Sequence, residues 1–173
     1  MGTDMQLQRG PSEPGPEIWV RGPVAPVGQP PPAAASFAPR RFSWVGVHGG
    51  AGASTLAAVY GGRDCGAAWP GPAAPRSVLL VARTHASGLA AALGALEVFR
   101  LGRAPHGLDL DAVVLVADAP GRLPRPLAER VRVIESVIDV YRVPWVPAWR
   151  LGELDGPPPG QARALARLTG RVR

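Results

Sequence analysis

WVGVHGGAGASTL, residues 44–56, joins a run of β-forming residues to a run of helix-forming ones through glycines at 49, 50 and 52. Upstream, RFSWVGV (41–47) is rich in residues that favour strands. Downstream, ASTLAAVY (53–60) sets Leu56, Val59 and Tyr60 at helical contact spacing and stops at Gly61 and Gly62. The stretch predicts a strand, a glycine loop and a helix. Such a loop aims backbone N–H groups at one point, and the positive end of the helix adds to them, which makes an anion cradle. The plainer reading is that the glycines only permit a tight strand-to-helix turn.

The alternation continues. SVLLVA (77–82) and AVVLVAD (112–118) are short continuous apolar runs, the pattern of strands buried on both faces. Between them, RTHASGLAAALGALEVFRLG (83–102) repeats Leu89, Leu93, Leu96 and Phe99 or Arg100 at helical spacing, with Thr84 or Ser87 as the expected N-cap. LAERVRVIESVIDVY (127–141) places Leu127, Val131, Ile134, Ile138 and Tyr141 on one helical stripe. RVPWVPAW (142–149) reads as an edge or terminal strand because of its prolines, and GQARALARLTGRVR (160–173) as a short basic helix. RDCGAAWPGPAAPR (63–76) has no periodicity and reads as a connector. Apolar strands alternating with amphipathic helices predict an α/β, three-layer sandwich around a small, mainly parallel sheet. Ligands of such sheets sit beyond the carboxyl ends of the strands. Those ends are HGGAGAS, ARTHAS, DAPGRLP and PAWR, which brings the chemically interesting residues to one rim.

A chain of 173 residues suits one ordinary domain. Residues 1–39 are dominated by proline, glycine and alanine and read as a disordered arm, broken by the small apolar island Glu17–Val20. The folded domain is expected over 40–155, followed by a Pro-rich connector and the basic helix over 156–173. Apolar runs are strand-sized, far short of the roughly 20 residues that span a bilayer, so no membrane insertion is expected. The N-terminal residues lack the pattern of a secretory signal, and the single cysteine, Cys65, has no internal partner, which together favour the cytoplasm. The net charge is +6, and all 19 basic residues are arginine. They are dispersed along the chain, so a solvated surface explains them before a nucleic-acid footprint does. His85, His106 and Cys65 are too isolated to argue a metal motif.

In a Walker A loop, lysine reaches the terminal phosphates and a Ser or Thr hydroxyl holds Mg²⁺. The loop here resembles the deviant form K-G-G-x-G-K-[ST]-[ST] of ParA/MinD-type ATPases. Gly49, Gly50, Gly52, Ser54 and Thr55 match, with Ala51 at the variable position, while His48 and Ala53 stand where the two lysines would be. A genome that avoids lysine codons has arginine available, so Ala53 records the loss of the charge itself. What remains is backbone N–H groups and a helix end worth about 0.3–1 kcal/mol when exposed and up to about 2 when partly buried. That favours anion binding over hydrolysis. Arg83 and Arg122 can approach from neighbouring strand ends, and His48 is able to carry partial charge near neutral pH.

Asp118 has two readings. In ADAPG it reads as D-x-x-G, a Walker B or switch carboxylate; the resemblance to the chain order of ParA/MinD-type proteins instead implies the base-contacting place, with the middle of that fold missing between Tyr60 and Ser77. A third, plainer reading makes it a turn-capping residue before Pro120. Trp149 is positioned to stack on a purine and Arg150 to meet a phosphate, against the simpler reading that both are packing or lid residues. Taken together, WVGVHGGAGASTLAAVYGG, VLLVARTHASGL, VVLVADAPGRLPRPL and VPWVPAWRLGE resemble an uncharacterised actinobacterial family that is itself similar to a shortened, degenerate ParA/MinD-type P-loop NTPase, over about Phe42 to Asp155. The resemblance implies a P-loop NTPase-like fold, ATP or ADP with Mg²⁺ as ligand, Ser54 and Asp118 as metal contacts, and an accessory role in a mobile or conjugative element with a protein partner or as a homodimer. The expected function is a nucleotide-binding pseudo-ATPase of regulatory type. A slow ATPase completed by a partner's arginine and a non-catalytic scaffold with a dead ligand site stand as alternatives.

Overall fold

A computed structural model of the chain describes residues 41–171. The expected arm over 1–39, with its Glu17–Val20 island, lies outside the described residues, as do residues 172 and 173. Five strands, β1 (Ser43–Gly46), β2 (Arg63–Asp64), β3 (Ser77–Arg83), β4 (Asp109–Val116) and β5 (Val140–Val143), form one sheet in the order β2-β1-β3-β4-β5. Every pairing is parallel. The helices are α1 (Ala53–Tyr60), α2 (Ala86–Arg100), α3 (Arg125–Glu135), α4 (Pro147–Arg150) and α5 (Arg163–Leu168).

Alternate residues of the central strands feed two separate cores. Leu79 and Val81 of β3, with Ala112 and Val114 of β4, pack on one face with Leu56, Val59 and Tyr60 of α1 and Leu165 of α5. Val78, Leu80 and Ala82, with Val113 and Leu115, pack on the other face with Leu89 of α2 and Val131 and Ile134 of α3. This two-sided burial explains why these strands read as unbroken apolar runs. It also places the C-terminal helix inside the domain core, since Leu165 is fully buried. Among the described residues no helix is long and apolar enough to cross a membrane.

Three elements depart from expectation. The connector contains β2, whose two residues are held by N–H donation from Arg63 to the Phe42 carbonyl at 2.7 Å and from Cys65 to the Trp44 carbonyl at 3.0 Å. The long helix expected over 127–141 ends at Glu135. Ser136 donates its hydroxyl to the Val133 carbonyl at 2.7 Å, and the chain turns before β5. Ile138 still packs on the α3 face, whereas Tyr141 lies in β5 and reaches the opposite core. The β-branched Val137, Ile138 and Val140 favour that extended exit. RVPWVPAW splits: Val140–Val143 is the edge strand, and Pro147–Arg150 is a helical turn with Pro147 at its start, where no N–H is needed.

Tyr60 sits in the α1-side core, with its ring centroid 6.2 Å from that of Trp44. Its hydroxyl is buried without a hydrogen-bond partner, and burial pushes the phenol up to about 12. An unpaired buried hydroxyl costs stability, so Tyr60→Phe is expected to raise the unfolding free energy by roughly 1 kcal/mol in urea denaturation. A folded pKa above the unfolded value leaves stability intact below pH 10.0 and erodes it as pH climbs toward 12. The Tyr60→Phe variant is expected to lose less stability than the parent over that window.

Candidate functional site

The strand order turns at the β1/β3 pair: from β1 the chain moves outward to β2 on one side, and from β3 to β4 and β5 on the other. In open parallel sheets this is where a crevice opens beyond the strand ends. The glycine loop and the short Thr84–His85 connection between β3 and α2 emerge there. Val47 still donates to the Val81 carbonyl at 3.0 Å, so the loop leaves β1 while attached to β3. Ala51 turns inward, buried, and spends its N–H on the His48 carbonyl at 3.3 Å. Gly52 caps α1 in the left-handed region at φ 103 and has no side chain with which to cap it. The first-turn N–H groups of Ala53, Ser54 and Thr55 have no acceptor within the helix. Among the described residues no other group accepts from them.

Arg83 is the organising residue of the rim. Its backbone N–H donates to His48 Nε2 at 3.0 Å, its Nε to the Gly50 carbonyl at 3.3 Å, and its Nη1 to the Ala117 carbonyl at 3.0 Å. Because a backbone N–H can only donate, His48 Nε2 carries no proton in this arrangement and Nδ1–H faces the Gly49 carbonyl at 2.9 Å. His48 thereby braces the glycine loop against the end of β3. Burial, then the Arg150 charge, lower the Arg83 pKa, and Asp118 opposes them.

The next residue extends the network. Thr84 donates its N–H to the Val116 carbonyl at 3.1 Å and accepts the Asp118 N–H on Oγ1 at 3.1 Å. With Thr84 so engaged and Ser87 already in the first turn, neither expected residue caps α2. His85 does: its Nδ1 accepts from the Gly88 N–H at 2.9 Å and from the Ser87 hydroxyl at 3.0 Å. The His48 and His85 rings lie 5.0 Å apart. Gly88 makes the approach possible, because a Cβ there would collide with the Arg83 carbonyl oxygen and stand 3.0 Å from His48 Nε2.

Gly52, Thr55, Arg83, Trp149 and Arg150, all expected at the site, line one cavity of about 40 Å³. His48, Gly49 and Gly50 belong to the loop beside it, with both glycines exposed. Trp149 packs against the α1-side core, and Arg150 lies over the Trp145 ring, 4.4 Å from its centroid. Asp118 and Arg122 are exposed and outside the lining. Ala53 is buried and Ser54 exposed, so Ala53 offers only its N–H. Among the described residues no group of three or more His, Cys, Asp or Glu is placed to hold a metal ion, which leaves Asp118 as the carboxylate beside Arg83. Leu56, Val116, Ala117, Pro144, Trp145 and Val146 complete the lining without having been expected there as site residues. Strand-end position was the signal for all but Leu56, which lies within α1, since Val116 and Val143 end β4 and β5.

The cap on α2 has a direct test. His85→Ala is expected to lower stability by about 1 kcal/mol, and His85→Asn to recover most of it, as measured by thermal unfolding.

A family model described as a family of unknown function (DUF6668) matches residues 42–164, well over half of the chain. No curated protein and no solved structure matches it.

Proposed function

We propose that this chain, which belongs to the DUF6668 family, is a nucleotide-binding accessory or regulatory protein whose P-loop-like glycine loop holds a phosphate chain without hydrolysing it. The observation that supports this reading best is that two arginines, Arg83 and Arg150, are among the residues lining one cavity that Gly52 and Thr55, at the first turn of α1, also line. The Arg150 charge, after burial, disfavours the charged form of Arg83. A phosphate group would relieve the repulsion and take the free N–H donors together.

The fold itself gives no reason for glycine at position 49. Its φ lies outside the left-handed region, and a Cβ built there meets no atom within 4 Å. A ligand lying along the loop supplies the reason, since a side chain would occupy its place. ATP or ADP with Mg²⁺ suits the donor set: Ser54 offers an exposed hydroxyl, Asp118 a carboxylate, and Mg²⁺ commonly binds through one carboxylate together with phosphate oxygens. Ala53 brings no cation to the developing charge of phosphoryl transfer, and Arg83 is engaged with two carbonyls. Binding without turnover follows from these features.

Calorimetric titration of the full chain with ATP and ADP, with and without Mg²⁺, tests the reading. A Kd clearly tighter than ~1 mM is expected, with no phosphate release above the enzyme-free rate. Gly49→Val is expected to abolish binding while moving Tm by no more than about 2 °C. Affinity no better than ~1 mM in the presence of Mg²⁺ rejects the proposal.

A further inference from the structure

The polar groups around the cavity are unevenly matched to a nucleotide. Among the residues that line it, the polar side-chain groups are the Thr55 hydroxyl, the two guanidinium groups and the indole N–H groups of Trp145 and Trp149. Apart from the hydroxyl, which also accepts, all of these are donors only. Discriminating one base from another requires acceptors for exocyclic amino groups as well as donors for carbonyl oxygens. Two backbone acceptors beside it already take a charged donor: Arg83 Nε donates to the Gly50 carbonyl and its Nη1 to the Ala117 carbonyl just past the end of β4. Asp118, the nearby carboxylate, is exposed and outside the lining.

Size points the same way. A volume of about 40 Å³ holds a few water-sized groups, against about 300–1,000 Å³ for sites that enclose a drug-sized ligand. Trp149 is partly buried and packed against the core, and the Arg150 guanidinium lies over the Trp145 ring. The glycine loop next to the cavity, by contrast, is open at Gly49 and Gly50, where a Cβ meets nothing within 4 Å. The loop offers phosphates an open, donor-rich surface, and among the described residues that line this cavity there is no enclosed place for a base.

We propose that the site recognises the phosphate chain alone and is indifferent to the base it carries, so that inorganic tripolyphosphate binds as well as any nucleoside triphosphate. This rests on the phosphate-binding reading above and narrows its ligand class. The base extends into solvent, and selectivity lies in the number of phosphates that span from the α1 first turn to Arg83 and Arg150.

The test is a calorimetric series on the full chain with ATP, GTP, CTP, UTP, sodium tripolyphosphate and pyrophosphate, each with Mg²⁺, and adenosine as the phosphate-free control. The four nucleotides and tripolyphosphate are expected to agree within about threefold, with adenosine silent. Arg83→Gln and Arg150→Gln are expected to weaken all of them by a common factor. The ratio of ATP to tripolyphosphate affinity in Trp149→Leu is expected to match that of the parent, a comparison unaffected by any loss of folded protein. A preference for one base of tenfold or more, or tripolyphosphate weaker than the nucleotides by a similar margin, overturns the inference while leaving phosphate binding intact. A fall in that ratio in Trp149→Leu does the same by exposing a stacking contact. If no phosphate compound binds, the phosphate-site reading fails and this inference fails with it.

Discussion

Two consecutive residues at the carboxyl end of β3 tie three loops together. Arg83 holds the glycine loop through His48 and the Gly50 carbonyl, and it holds the end of β4 through the Ala117 carbonyl. Thr84 adds the Val116 carbonyl and the Asp118 N–H. These bonds are modest one by one, about 0.5–1.5 kcal/mol net for neutral partners and about 1.5–3 where a charge takes part. Their consequence is geometric. Parallel pairing of β3 with β1 and with β4 fixes where Arg83 begins, with Arg83 opposite Val116, and the side chain then spans two loops that no strand connects.

The same residue explains the electrostatic character of the rim. A guanidinium that burial and a second arginine both disfavour is retained because two carbonyls accept from it and Asp118 stands near. The sequence contains no lysine to share this task, and the position beside the expected hydroxyl is Ala53. Positive potential at the rim therefore comes from fixed, planar groups and from backbone N–H donors, all set by the sheet.

Much of this architecture was legible in the sequence because burial imposes periodicity. ASTLAAVY is α1 to the residue, and SVLLVA falls within β3. What escaped has identifiable physical causes. β2 is two exposed residues long and owes its form to pairing with β1, so it leaves no pattern of its own. Ile138 and Tyr141 continue the helical stripe of α3 in phase, and spacing alone does not register the turn at Ser136. Thr84 looked like a cap because hydroxyls favour helix starts. Its register opposite the β4 exit commits that hydroxyl to Asp118 instead and leaves His85 to cap the helix. At the site, the glycine loop and the lining residues Arg83, Trp149 and Arg150 could be anticipated from strand ends. The carbonyls that Arg83 would seek could not, since they depend on the register of β3 with its neighbours.

Under the proposed phosphate-binding reading, it matters that the cation beside the glycine loop is an arginine from the adjacent strand and not a lysine within the loop. A lysine within the loop is a compact charge on a flexible stem, free to follow a phosphate as its charge develops. Arg83 is planar and already shares its fork between two carbonyls from different loops. To follow a reacting phosphate it would have to release both loops at the moment when the reaction needs them fixed. On the proposed reading it serves as a stationary charge that a phosphate approaches, an arrangement better suited to holding an anion than to transferring one.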